Sequence, residues 1–117
     1  MATGRILIIA PDPDLRRSLE FALGAEGYAV TCRTRLDEEP EPEAYDCTIL
    51  DHRAIPVLTG DVLTFCRRAK PIVLLAGMPQ PWLAEHVFCV VQKPMLGEPL
   101  SGAVRAALAW RRTAGPH

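Results

Sequence analysis

None of the four cysteines, at 32, 47, 66 and 89, forms a CxxC pair. That spacing removes the usual zinc frameworks and argues against a disulfide scaffold. Each thiol lies within an apolar stretch, which suits a small buried side chain, so reduced thiols in a cytoplasm are the expectation. Long apolar runs are also missing. The first, beginning at Arg5-Ile6-Leu7, holds about five apolar residues, short of the roughly 7–15 of a signal-peptide core and the roughly 20 of a membrane span. Neither export nor membrane insertion is expected. Charge of one sign is absent too: 13 basic residues stand against 14 acidic ones, a net of -1. No whole-chain field draws in nucleic acid, and no basic run or recognition helix argues for DNA. Finally, no glycine-rich phosphate loop follows the first apolar run, which leaves a nucleotide pocket with little support.

What is present is a chain of 117 residues, 49% hydrophobic, enough to close one core and bury roughly two-thirds of its unfolded surface. Residues 1–117 read as a single domain, with 113–117 expected as a frayed tail. Arg5 to Ala10 is a β-branched run apolar on both faces, as in a central parallel strand covered by helices. Asp12-Pro13-Asp14 then reads as a helix N-cap, a proline at the first helical position and an acid in the first turn. The spacing of Leu15, Leu19, Ala22 and Leu23 predicts a buried helical stripe ending near Gly24 or Gly27. Tyr28 to Cys32, Asp46 to Asp51, Pro71 to Ala76 and Val87 to Gln92 predict four further strands. Between them lie a short or broken helix over 33–44, a loop over 52–59, a helix after Gly60 and at most two turns over 81–86. Leu100, Ala103, Val104, Ala107 and Leu108 give the last helix its buried face. Alternating strands and helices place any chemistry at the carboxyl ends of the strands.

Four stretches in order carry a resemblance: Ile6 to Ile9 leading to Pro13-Asp14-Leu15-Arg16-Arg17, Asp46 to Asp51 with Pro56 and Gly60 beyond it, Pro71 to Gly77, and Gln92-Lys93-Pro94-Met95. Together they resemble the receiver domain of bacterial response regulators. The resemblance implies an α/β, flavodoxin-like three-layer sandwich whose five-stranded parallel sheet has the order 2-1-3-4-5. It makes Asp51 the phosphoacceptor position and Lys93, followed by Pro94, the family's lysine. The departures are as plain. Ala10 and Pro11 stand where the family has two metal-binding acids, Ala76 where it has a hydroxyl residue, and Val90 where it has a switching aromatic.

A phosphoryl group reaches a carboxylate only when cations and hydrogen-bond donors neutralise the charge spreading over its oxygens. Ala10 and the Pro11 side chain offer Mg²⁺ no ligand, and Ala76 offers a phosphate no hydroxyl. No metal and no cofactor are therefore expected, and no enzyme beyond slow autophosphorylation or autodephosphorylation at Asp51. The expected function is two-component signalling by an atypical receiver that acts through contacts with a histidine kinase or a downstream effector. Its contact face would lie near the fifth strand and the last helix, at Val90, Leu96 and Trp110, with a homodimer through that face as a further expectation. The alternative is a working phosphoacceptor at Asp51, with Asp12 and Asp51 holding Mg²⁺. His52, His86 and His117 read as surface loop histidines.

Overall fold

In the computed structural model, residues 4–55, 60–69, 71–77, 87, 89–92 and 98–114 are described. Strands β1 (Arg5–Ile9), β2 (Ala29–Arg33), β3 (Cys47–Asp51), β4 (Ile72–Ala76) and β5 (Cys89–Gln92) form one sheet in the order β2-β1-β3-β4-β5. Every pairing is parallel. The sheet has the order that the resemblance implied. Helices α1 (Pro13–Ala25), α2 (Gly60–Arg68) and α3 (Glu98–Ala114) cover it.

The continuous apolar runs are explained by what lies on each face. Ile6, Ile8, Cys47, Ile49, Val73 and Leu75 pack with Leu19 and Leu23 of α1 and Leu100, Val104 and Ala107 of α3. Alternate residues Leu7, Ile9, Leu50, Ile72 and Leu74 pack with Val62, Phe65 and Cys66 of α2. A strand covered on both sides has no solvent face, so period-two alternation disappears from its sequence. Each such Ile or Leu contributes roughly 1.5–3 kcal/mol by leaving water.

Helix α1 starts as its sequence requires: the Asp12 carboxylate accepts from the Asp14 amide at 2.9 Å, and Pro13 fills the first turn. It stops at Gly27, whose φ of 98° is open to glycine at no steric cost. The Tyr28 amide donates to Leu23 O and the Gly27 amide to Gly24 O, the paired bonds of a Schellman cap. Tyr28 is therefore part of the turn, and β2 begins one residue later than the apolar pattern indicates.

Other boundaries also differ from the sequence reading, among them the start of β5 at Cys89 rather than Val87. The segment after β2 forms two 3-10 turns, Leu36–Glu38 and Pro42–Ala44, because Pro40 and Pro42 interrupt any longer helix. Asp46 lies outside β3; its carboxylate accepts from the Arg5 amide at 2.8 Å, so the side chain caps the start of β1. Helix α3 continues through Ala114; Gly115 and Pro116 are the first residues in sequence that resist continuing a helix. Residues 115–117 and the predicted turns over 81–86 lie outside the described residues. No helix among the described residues is long and apolar enough to cross a membrane.

Candidate functional site

The site grows from the carboxyl ends of β1, β3 and β4. Asp51 is the last residue of β3, fully buried, in register with Leu75 of β4. Its Oδ1 accepts from the Arg53 amide at 3.1 Å, which makes Asp51 the cap of a 3-10 turn over His52–Ala54. A carboxylate followed by a tight turn thus has one oxygen committed to the backbone two residues on.

His52 differs from the loop histidine its sequence position indicates. Its side chain is half-buried, and Nδ1 lies 3.2 Å from Leu75 O and 3.5 Å from Asp51 Oδ1. A carbonyl only accepts, so Nδ1 carries the proton and donates, leaving Nε2 as the acceptor of the neutral ring. The ring therefore ties the end of β3 to the end of β4. Side chains of consecutive residues diverge on a strand, but a 3-10 turn redirects the second of them, and that turn is what the sequence reading lacked.

At the end of β1, Ala10 is fully buried and its amide donates to Arg33 O at 3.0 Å. The Arg16 guanidinium reaches back from the first turns of α1, with Nη1 2.8 Å from Ala10 O and 3.3 Å from Pro11 O. Asp12 has both oxygens engaged: Oδ1 caps α1, and Oδ2 lies 3.9 Å from Arg53 Nη1. Arg53 therefore touches both carboxylates, Asp51 through its amide and Asp12 through its guanidinium. Neither Arg16 nor Arg53 stood out in the sequence. Arg16 reads there as a residue of the polar helix face, and Arg53 as an unremarked loop residue.

Among the described residues, no three His, Cys, Asp or Glu side chains gather in a way that could hold a metal ion. A hard cation such as Mg²⁺ takes an octahedron of oxygens that includes one or two carboxylates. Here Ala10 O and Pro11 O face the Arg16 guanidinium and Asp12 Oδ2 faces that of Arg53, while Asp12 Oδ1 caps α1.

The remaining site positions fall as follows. Ala76 ends β4, buried, in register with Gln92 of β5. Val90 on β5 and Trp110 on α3 are each 40% exposed. Lys93, Pro94, Leu96, His86 and His117 lie outside the described residues. Burial raises the Cys66 and Cys32 thiols above their ordinary value, which keeps both protonated and unreactive.

Several solved structures share this fold. The response regulator receiver domain protein from Clostridium thermocellum superposes with a TM-score of 0.77 at 20% identity, over 96% of this chain and 99% of that one. The Vibrio cholerae chemotaxis protein CheY4 gives 0.69 at 20% identity, over 92% and 100%. A two-component response regulator from Clostridium difficile gives 0.68 at 24% identity, over 95% and 98%. The fold is that of response-regulator receiver domains. No family model and no curated protein matches the chain. Within this fold, Asp51 ends the third strand, and the end of the first strand presents Ala10 and Pro11.

Proposed function

We propose that the domain is a receiver-type module of two-component signalling that works through protein contacts, with Mg²⁺-dependent phosphorylation of Asp51 lost or slow. The carrying observation is that a buried carboxylate, Asp51, ends the third strand of a receiver fold whose first strand is followed by Ala10 and Pro11, residues without a side-chain ligand. Ala76 adds to it, since a methyl group at the end of β4 cannot donate to a phosphoryl oxygen. Loss of one preorganised stabiliser of developing charge costs about 10²–10³ in rate. Two missing ones compound that loss, which makes phosphotransfer too slow to act as a timed switch.

The switch itself lacks its parts. A ligand or modification shifts a conformational equilibrium only through contacts that differ between the two states. Val90 carries no ring to turn and Ala76 no hydroxyl to be drawn in, so the output rests on the standing surface. Val90 and Trp110, exposed on β5 and α3, are the residues we assign to contact with a histidine kinase or an effector, since exposed aromatic side chains are favoured anchors at interfaces. The same face could serve a second copy of the chain. The domain is not assigned a catalytic turnover of its own.

The test is intact-mass measurement after incubation with acetyl phosphate and Mg²⁺, alongside Asp51→Asn. The expected spectrum shows the unmodified mass for both proteins. Stoichiometric addition of one phosphoryl group to the wild type, abolished by Asp51→Asn, overturns the proposal in favour of a working phosphoacceptor.

A further inference from the structure

The arginines at the strand ends do more than fill space. Arg53 is anchored at one end by its amide, 3.1 Å from Asp51 Oδ1, and its guanidinium lies 3.9 Å from Asp12 Oδ2. Asp12 and Asp51 are the two acids near these strand ends on which a divalent cation could draw. Arg16 holds the two carbonyl oxygens beside them, at 2.8 and 3.3 Å. The two carbonyl oxygens at the end of β1 and one oxygen of Asp12 therefore already face guanidinium groups.

We propose that Arg53, supported by Arg16, is a built-in cation beside Asp12 that takes the place a divalent metal would need at the end of β1 and keeps metal ions out. This inference rests on the reading of Asp51 as the acceptor position of a receiver-type site. As a stabilising ion pair, Arg53 with Asp12 is worth little, because the two side chains are 59% and 37% exposed and water screens them. Exclusion depends on something else. A dication entering beside Asp12 must displace the Arg53 guanidinium and finds the neighbouring carbonyl oxygens already bonded to Arg16, so it gains few ligands while facing two like charges. A guanidinium stays protonated at any working pH, so the exclusion is independent of pH. A histidine or lysine in the same place would admit metal as pH rises.

Mn²⁺ serves as the probe, read by paramagnetic broadening of the amide signals of Asp12, Asp14, Asp51 and His52 in uniformly ¹⁵N-labelled protein. No phosphoryl donor is present, so the outcome is separate from any phosphorylation of Asp51. The wild type is expected to show no saturable broadening at these amides. Arg53→Ala and the closer-shaped Arg53→Gln are expected to gain it, with affinity at least about tenfold above the wild-type limit, and more so when combined with Arg16→Ala. Arg53→Lys keeps the charge and is expected to behave as wild type, and Asp12→Asn added to Arg53→Ala is expected to erase the gain. Broadening in the wild type equal to that in Arg53→Ala overturns the inference. So does an absence of gain in both neutral variants whose spectra otherwise overlay the wild type, and so does equal gain in Arg53→Lys.

Discussion

Thr48 is fully buried in the middle of β3, and its hydroxyl oxygen has no hydrogen-bond partner among the described residues. Burying an unsatisfied hydroxyl costs about 1–3 kcal/mol. Thr48→Val keeps the shape and removes the polar atom, so it should raise unfolding free energy by about 1 kcal/mol, read as a higher urea midpoint at unchanged slope. A lower midpoint would mean that the hydroxyl is satisfied. At this scale the sequence was only partly legible. Asp12 as an N-cap followed from Asp-Pro-Asp alone, because capping is local chemistry. The bond from His52 to Leu75 O and the reach of Arg53 to Asp12 were not legible, because both join residues brought together only by the sheet. Arg16 is the intermediate case: its target is six residues away, yet the same residue reads equally well as an exposed helix position.

The turn Leu36–Glu38 shows an element held by one side chain. The Glu38 carboxylate accepts from the Thr34 hydroxyl at 2.7 Å, the Thr34 amide at 2.7 Å and the Arg35 amide at 3.0 Å. The hydroxyl bond first, then the two amides, pull its pKa down from 4.5 to about 2. A carboxyl group whose folded pKa is lowered contributes stability that is fully present above its unfolded value and disappears as pH falls through the folded one. Glu38→Gln should therefore be less stable than wild type at neutral pH, and the gap should close between about pH 4.5 and 2. Acid titration of the unfolding midpoint for both proteins measures it, and a gap that persists at pH 2 would contradict the assignment. The sequence indicated a weak, proline-broken helix over 33–44 but not this turn, since the alternation of acids and prolines carries no period. Strands were more legible: their starts shift by one residue at Tyr28 and Asp46, where the chain is committed to a turn or to the end of β1, and by two at β5, which starts at Cys89 rather than Val87.

Across the whole molecule, two apolar layers share one sheet, and the central strands belong to both. Leu74 is fully buried on the α2 side, in register with Leu50 and Val90. Leu74→Ala should cost about 2–5 kcal/mol, the sum of lost transfer energy and the cavity left behind, visible as a drop in urea midpoint. A loss under about 1 kcal/mol would imply that the sheet collapses around the gap. The fold class was legible because runs such as Ile6 to Ile9 and Ile72 to Ala76 are apolar on both faces, which only a covered parallel sheet explains. The strand order was not contained in those runs and came from the resemblance. It also sets a demand on biosynthesis. β1 leaves the ribosome early, yet its neighbour β3 follows about forty residues later, a delay of roughly 2–8 s at ordinary elongation rates of about 5–20 residues per second. For that interval β1 has α1 and β2 beside it but lacks β3 and α2, so Leu7 and Ile9 wait for the cover that the finished domain gives them.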